Sequence, residues 1–199
     1  MGISDNGGRP AATSPHELAA AAQQLFLEKG FDETSVEDIA TAVGVSRRTF
    51  FRYFPTKADV LWVESSSELA RLRESLAADD GTTPYAEVLT RAIVTALEYP
   101  PDQHQWAHQR AQLVLTVPSV QTHASLRFAE WKDAAAEFAA SRAGVDKSEL
   151  FPVAVGHAAL AAMLAAHEYW TAHPDAELSA ALRSAFEMLL PELPVRQRP

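Results

Sequence analysis

VEDIATAVGVSRRTFFRYFPTK, residues 36–57, carries both a folding instruction and a chemical one. Val36, Ile39, Ala40 and Val43 recur at helical spacing with Glu37, Asp38 and Thr41 opposite them, which predicts a short helix with one apolar face. Ser35 precedes it as an N-cap and Asp38 stands three residues on, a carboxylate variant of the capping box. Gly44 breaks the run where a left-handed residue costs least, and Ser46 caps a second helix. Phe50 and Phe54, four apart, supply the buried face of that helix. Arg47, Arg48, Thr49, Phe51, Arg52 and Tyr53 are left for the outside, and Pro55 ends the helix. Two short helices joined at a glycine, with small Ala40 where they approach, predict a helix-turn-helix whose second helix enters a DNA major groove.

The charge agrees with that reading. The 199-residue chain has a formal net charge of -9. Between Val43 and Ala58, however, lie Arg47, Arg48, Arg52 and Lys57 and no acid. A local basic patch attracts phosphate over about a Debye length, roughly 8–10 Å, whatever the distant charges do. The competing reading is a structural hairpin with a solvated basic face. Arg47 or Arg48 can make a bidentate contact to guanine, and the spacing does not choose between them.

GFDETSVEDIATAVGVSRRTFFRYFPTKADVL resembles the N-terminal segment of TetR-family transcriptional regulators, over roughly residues 14–61. The resemblance implies Ser35 and Lys57 on phosphates and Ser46 at the start of the recognition helix. It implies Arg47, Arg48 and Thr49 at base edges or phosphate, with Phe51, Arg52 and Tyr53 completing the surface. Phe51 replaces a frequent tyrosine, which removes a phosphate hydrogen bond and favours contact with a thymine methyl. A narrower likeness covers SRRTFFRYFPTKADVLW and QRAQLVLTVPSVQTHASLRFAEW, which are similar to the mycofactocin-type branch of that family. That likeness implies a C-terminal domain binding acyl-CoA-like ligands.

Length and composition bound the remainder. With 47% hydrophobic residues, a DNA-reading part of about 50 residues leaves a second helical unit of about 140. The expected division is an arm over 1–14, the helix-turn-helix domain over 15–55, a ligand-binding and dimerisation domain over 56–191, and a tail over 192–199. Cysteine is absent, which excludes disulfides, thiolate nucleophiles and cysteine-ligated zinc. The N-terminus lacks the charged and apolar pattern of a signal peptide, and the apolar run Val153–Ala166 is shorter than a bilayer span, so a cytoplasmic protein with no membrane partner is expected.

Ser14-Pro15 opens a first helix that completes a three-helix domain, and Arg9 in the preceding arm is a candidate minor-groove contact against the plainer reading of a tail. A single helix from Thr56 to Ala78, with Lys57 in its first turn, is expected as a lever between the domains. Five further helices follow, broken at Asp79–Thr83, Pro100-Pro101, Pro118, Gly144 and about Asp175, and no segment alternates with period two. The expected fold is therefore all-α, a three-helix helix-turn-helix domain followed by a six-helix domain.

The last two helices suggest a homodimer interface built from Leu160, Leu164, Leu178, Leu182, Phe186 and Leu189, with intramolecular core as the alternative. Trp62, Trp106, Arg110, Phe128 and Trp131 are candidates to line an effector pocket. The likeness to acyl-CoA binders asks for cations at its mouth, and Arg110, Arg127 and Lys132 are available unless surface acids pair with them.

No nucleophile elbow or phosphate-cradling loop is present, and His104 and His108 lack a third ligand at metal spacing. Neither an enzyme nor a metal site nor a cofactor is expected. The expected function is a repressor that binds a palindromic operator as a homodimer and is released by a hydrophobic molecule, in the narrower likeness an acyl-CoA. A DNA-binding regulator with another apolar ligand, or an activator, is the alternative.

Overall fold

The computed structural model describes residues 13–193, so most of the arm, including Arg9, and residues 194–199 of the tail lie outside the described residues. The described residues form nine α-helices and no strand: α1 (Pro15–Lys29), α2 (Val36–Ala42), α3 (Arg47–Tyr53), α4 (Ser65–Ala77), α5 (Tyr85–Ala96), α6 (His104–Thr116), α7 (Pro118–Ala143), α8 (Leu150–Ala172) and α9 (Leu178–Leu189). The all-α expectation, three helices followed by six, is what forms. The chain divides into two compact units between Val63 and Glu64.

In the first unit each helix starts where a side chain can take over orphan amide donors. Ser14 and Glu17 cap α1 reciprocally, Ser35 and Asp38 do the same for α2, and the Ser46 hydroxyl accepts from the Thr49 amide at α3. Gly44, at φ +68°, makes the corner between α2 and α3, and the Val45 amide donates to the Ala40 carbonyl at 2.9 Å. Leu18, Ala22, Phe26, Ile39, Phe50 and Phe54 are buried together with Ala58, Val60 and Leu61.

Those last three residues explain a departure from the expected lever. Thr56 to Ala78 is not one helix: Lys57–Trp62 is a 3₁₀ helix, and α4 begins afresh at Ser65. Residues 58 and 60 would lie about 200° apart on an α-helix, so a straight helix could not bury Ala58, Val60 and Leu61 together. The tighter turn packs on α1 and belongs to the first unit, so residues 56–63 fall on the other side of the expected boundary.

The core of the second unit joins Leu69, Leu72 and Leu76 of α4 to Val88, Leu89 and Ile93 of α5, Trp131, Ala135 and Phe138 of α7, Val155 and Ala159 of α8, and Leu182 and Phe186 of α9. Helix α8 packs against α6, α7 and α9. Its approach to α7 depends on Gly156, where an added Cβ would stand 2.8 Å from the Lys132 carbonyl oxygen and 3.2 Å from the Ala136 Cβ. By length and composition α8, Leu150–Ala172, is long and apolar enough to cross a membrane, a property it shares with core helices. The packing gives another cause for its apolarity: one face is core, and the outward side runs from half-buried Leu160 and Leu164 at one edge to Tyr169, 53% exposed, at the other.

Candidate DNA-reading surface and effector-domain cluster

The recognition helix exposes its expected chemistry. Ser46, Arg47, Arg48, Phe51 and Arg52 are exposed, Thr49 and Tyr53 are half-buried, and Phe50 is fully buried. The Arg47 guanidinium lies over the Phe51 ring, 5.5 Å from its centre and one helical turn on. Arg52 donates to the Tyr53 hydroxyl at 2.8 Å, and that hydroxyl donates to the Thr13 carbonyl at 3.0 Å. Tyr53 thus fastens the entry of α1 to α3. Arg48 stands beside these pairs at the start of α3, exposed.

The hydroxyls expected at phosphates have local work as well. The Ser35 hydroxyl donates to Asp38 at 2.6 Å, and the Ser46 and Thr49 hydroxyls lie 3.0 Å apart. The Ser35 hydroxyl and amide hold the Asp38 carboxyl below the usual carboxylate range.

Lys57 shows the largest difference from expectation. Its ammonium donates to the carbonyls of Phe31 and, at 2.9 Å, Thr34, and it lies 4.3 Å from the Phe31 ring centre. It closes the loop between α1 and α2 from inside the unit, because that loop presents carbonyls with no helical partner. Lys57→Met is expected to lower the stability of the first unit by about 1–3 kcal/mol, through carbonyls left without a donor. Chemical denaturation followed by a probe in that unit checks this, and an unchanged midpoint would assign Lys57 to DNA alone.

The expected pocket residues divide. Trp62 belongs to the first unit, and Trp131 is core. Arg127 pairs with Glu130 one helical turn away, the surface fate held open for it. Trp106 and Arg110 do come together: the Arg110 guanidinium lies 5.1 Å from the Trp106 ring centre. Sequence reading missed what Arg110 is bonded to. It donates to Glu68 of α4 at 2.8 Å and to the Tyr99 hydroxyl at 2.7 Å, and that hydroxyl donates to Glu68 at 2.6 Å. Glu68, a charged residue within the stretch expected as a lever, is 4% exposed.

Burial lowers the guanidinium pKa, but Glu68 and Tyr99 more than offset it and raise it, so Arg110 is charged. Burial also raises the Tyr99 pKa and keeps the phenol neutral. His167 of α8 faces the same cluster: burial lowers its pKa, its Nδ1 donates to the Met163 carbonyl at 2.7 Å, and its ring lies 6.3 Å from Trp170. Among the described residues no group of three potential metal ligands gathers.

The interface expectation also needs correction. Leu178, Leu182 and Phe186 are 8%, 1% and 0% exposed, buried within the protomer against α5 and α8, so they cannot meet a second subunit. Leu160 and Leu164 are half-buried and Leu189 is 44% exposed. The spacing of four that links Leu178, Leu182 and Phe186 marks one face of α9, and that face turns inward, while Leu189, three residues on, stays exposed.

A glycine-cornered helix pair with an exposed basic second helix, joined to a separate helical unit, defines a helix-turn-helix DNA-binding transcription regulator. Residues 18–61 match the model of bacterial regulatory proteins of the tetR family, and residues 83–194 match that of the MftR C-terminal domain. The chain is 31% identical over 182 residues, 92% of each chain, to MftR of Mycobacterium tuberculosis, described as a candidate transcriptional regulator of mycofactocin biosynthesis. It is 34% identical over 190 residues to the regulator TcmR of Streptomyces glaucescens, covering 89% of this chain and 83% of that one. Among solved structures it resembles Thermus thermophilus FadR, a transcriptional repressor in complex with lauroyl-CoA, at 26% identity and TM-score 0.58, covering 94% of this chain and 98% of that chain. The chain belongs to the TetR family of bacterial transcription regulators, with an MftR-type C-terminal domain.

Proposed function

We propose that the protein is a homodimeric repressor that binds a palindromic operator through α3 and is released by an acyl-CoA-like effector in the second unit. The observation that carries the DNA part is the division of α3: Phe50 closes the core while Ser46, Arg47, Arg48 and Arg52 remain exposed. Those residues read base edges and phosphates on one half-site, and a twofold dimer supplies the second about 34 Å away. The lauroyl-CoA held by the FadR relative supports the effector class. An effector acts only through its differential affinity for the DNA-binding and released conformations.

The subunit interface falls on the outer faces of α8 and α9. There an apolar groove of about 580 Å³ is lined by Ala165, Tyr169, Ala180, Ala181 and Met188, while half-buried Leu160 and Leu164 stand at the other edge of the outward side of α8 and Leu189 is exposed on α9. Leu164→Glu is expected to convert the dimer to a monomer and to weaken operator binding at least tenfold, since each half-site would then be bound alone. Sedimentation checks the first and operator titration the second. A dimer of unchanged affinity would move the interface elsewhere.

The function is tested by a mobility shift on the DNA flanking the protein's own gene, titrated with lauroyl-CoA, laurate and free CoA. Release by lauroyl-CoA alone is expected. Binding that survives all three would remove the effector class, and no binding even at low salt would remove the DNA reading.

A further inference from the structure

The Arg110 cluster is better built than a core requires. A buried charged pair contributes little net stability compared with apolar packing, and here it leaves a donor without a partner. Arg110 is 8% exposed, its Nη2 serves both Glu68 and Tyr99, and its Nη1 has no hydrogen-bond acceptor. A buried N–H in that condition calls for an acceptor that arrives from outside.

The charge around it selects the kind of acceptor. Glu68 already balances the guanidinium at 2.8 Å, the Tyr99 phenol is neutral, and burial holds the His167 ring neutral. A carbonyl can only accept, so the 2.7 Å contact to Met163 places the His167 proton on Nδ1 and leaves Nε2 a lone pair. The cluster is electrically balanced, and an ionised carboxylate brought to Nη1 would add an uncompensated charge beside Glu68. Beside the cluster, on the far side of Tyr99, lies a cleft of about 490 Å³ walled by Tyr99, His108 and Trp170, with Leu97, Leu178 and Leu182 as its apolar part and Glu98 and Glu177 among its polar lining; Arg110 stands behind Tyr99, so a ligand reaches it by displacing that ring. Tyr99 touches Arg110, and Trp170 lies against both His108, at 4.9 Å, and His167.

We propose that Arg110 Nη1 is the effector's recognition point and binds a neutral carbonyl oxygen, that of a thioester or ester, on a molecule whose apolar chain lies along this cleft. This deepens, and rests on, the reading of an acyl-CoA-like effector. It assigns discrimination between an activated acyl group and the corresponding free acid to one guanidinium.

The test is calorimetric titration of the full-length protein with four twelve-carbon probes: lauroyl-CoA, S-dodecyl-CoA, which lacks the carbonyl, methyl laurate and laurate. A buried donor left unmatched costs binding by roughly tenfold or more, so lauroyl-CoA should exceed S-dodecyl-CoA, and methyl laurate should exceed laurate, by about that factor. In Arg110→Lys, which keeps a charge for Glu68 but loses the second planar donor, both ratios should fall below about threefold. Equal binding of thioester and thioether overturns the proposal and leaves the acyl-CoA reading intact. Binding of methyl laurate without lauroyl-CoA supports the carbonyl site and retires coenzyme A. No binding by any probe overturns both, and ratios that persist in Arg110→Lys remove Arg110 from the role. Should that variant fail to fold, the wild-type ratios decide.

Discussion

Arg110→Met is expected to destabilise the second unit by about 3–5 kcal/mol, the loss that follows when one partner of a buried ion pair is removed. The remaining Glu68 would be a buried carboxylate still accepting from the Tyr99 hydroxyl but without its cation, in a helix that is otherwise core on that side. Glu68→Met combined with Arg110→Met should recover most of that loss, because two apolar side chains of similar length restore packing without an uncompensated charge. Urea unfolding of the two single variants and the double variant measures this. A double variant as unstable as the worse single one would show that packing by the long side chains, not charge, holds α4 to α6 here.

Arg47→Ala with Arg48→Ala is expected to reduce operator affinity by about 2–6 kcal/mol, taking roughly 1–3 kcal/mol for each lost contact. The slope of log affinity against log salt should also flatten, by an amount set by how many of the two contact phosphate. Both side chains are exposed at the start of α3 and neither packs in the core, so folding should be unaffected. Circular dichroism separates the two effects. Equal losses on operator and random DNA would show phosphate contacts only, and no loss would put the DNA-reading surface elsewhere.

The helix-turn-helix was legible in the sequence because it is specified locally. Ser35, Asp38, Gly44, Ser46, Phe50 and Pro55 set caps, corner, core and stop within one short stretch, and each acts on its near neighbours. Five of the six later helices were legible for the same reason, from prolines, a glycine and apolar spacing, while the expected helix Thr56–Ala78 divides at Val63–Glu64. What was not legible depended on which partner each face meets. Periodicity marks a stripe on α9, but only the fold turns Leu178, Leu182 and Phe186 inward. Likewise Lys57 looked like a free cation until the loop between α1 and α2 folded over it. The cluster at Arg110 draws on residues 42 and 11 positions away, a separation at which no spacing rule operates.

The two-faced apolarity of α8 bears on how the protein behaves in dilute solution. In the proposed assembly the outward side of α8, from Leu160 and Leu164 at one edge to Tyr169 at the other, is covered only when a second chain arrives, so part of the folding free energy scales with the logarithm of protein concentration. The melting temperature should then climb as the sample is concentrated, and a cell making few copies would hold a less durable regulator than one making many. Abundance would set how long each molecule survives as well as how often the operator is occupied.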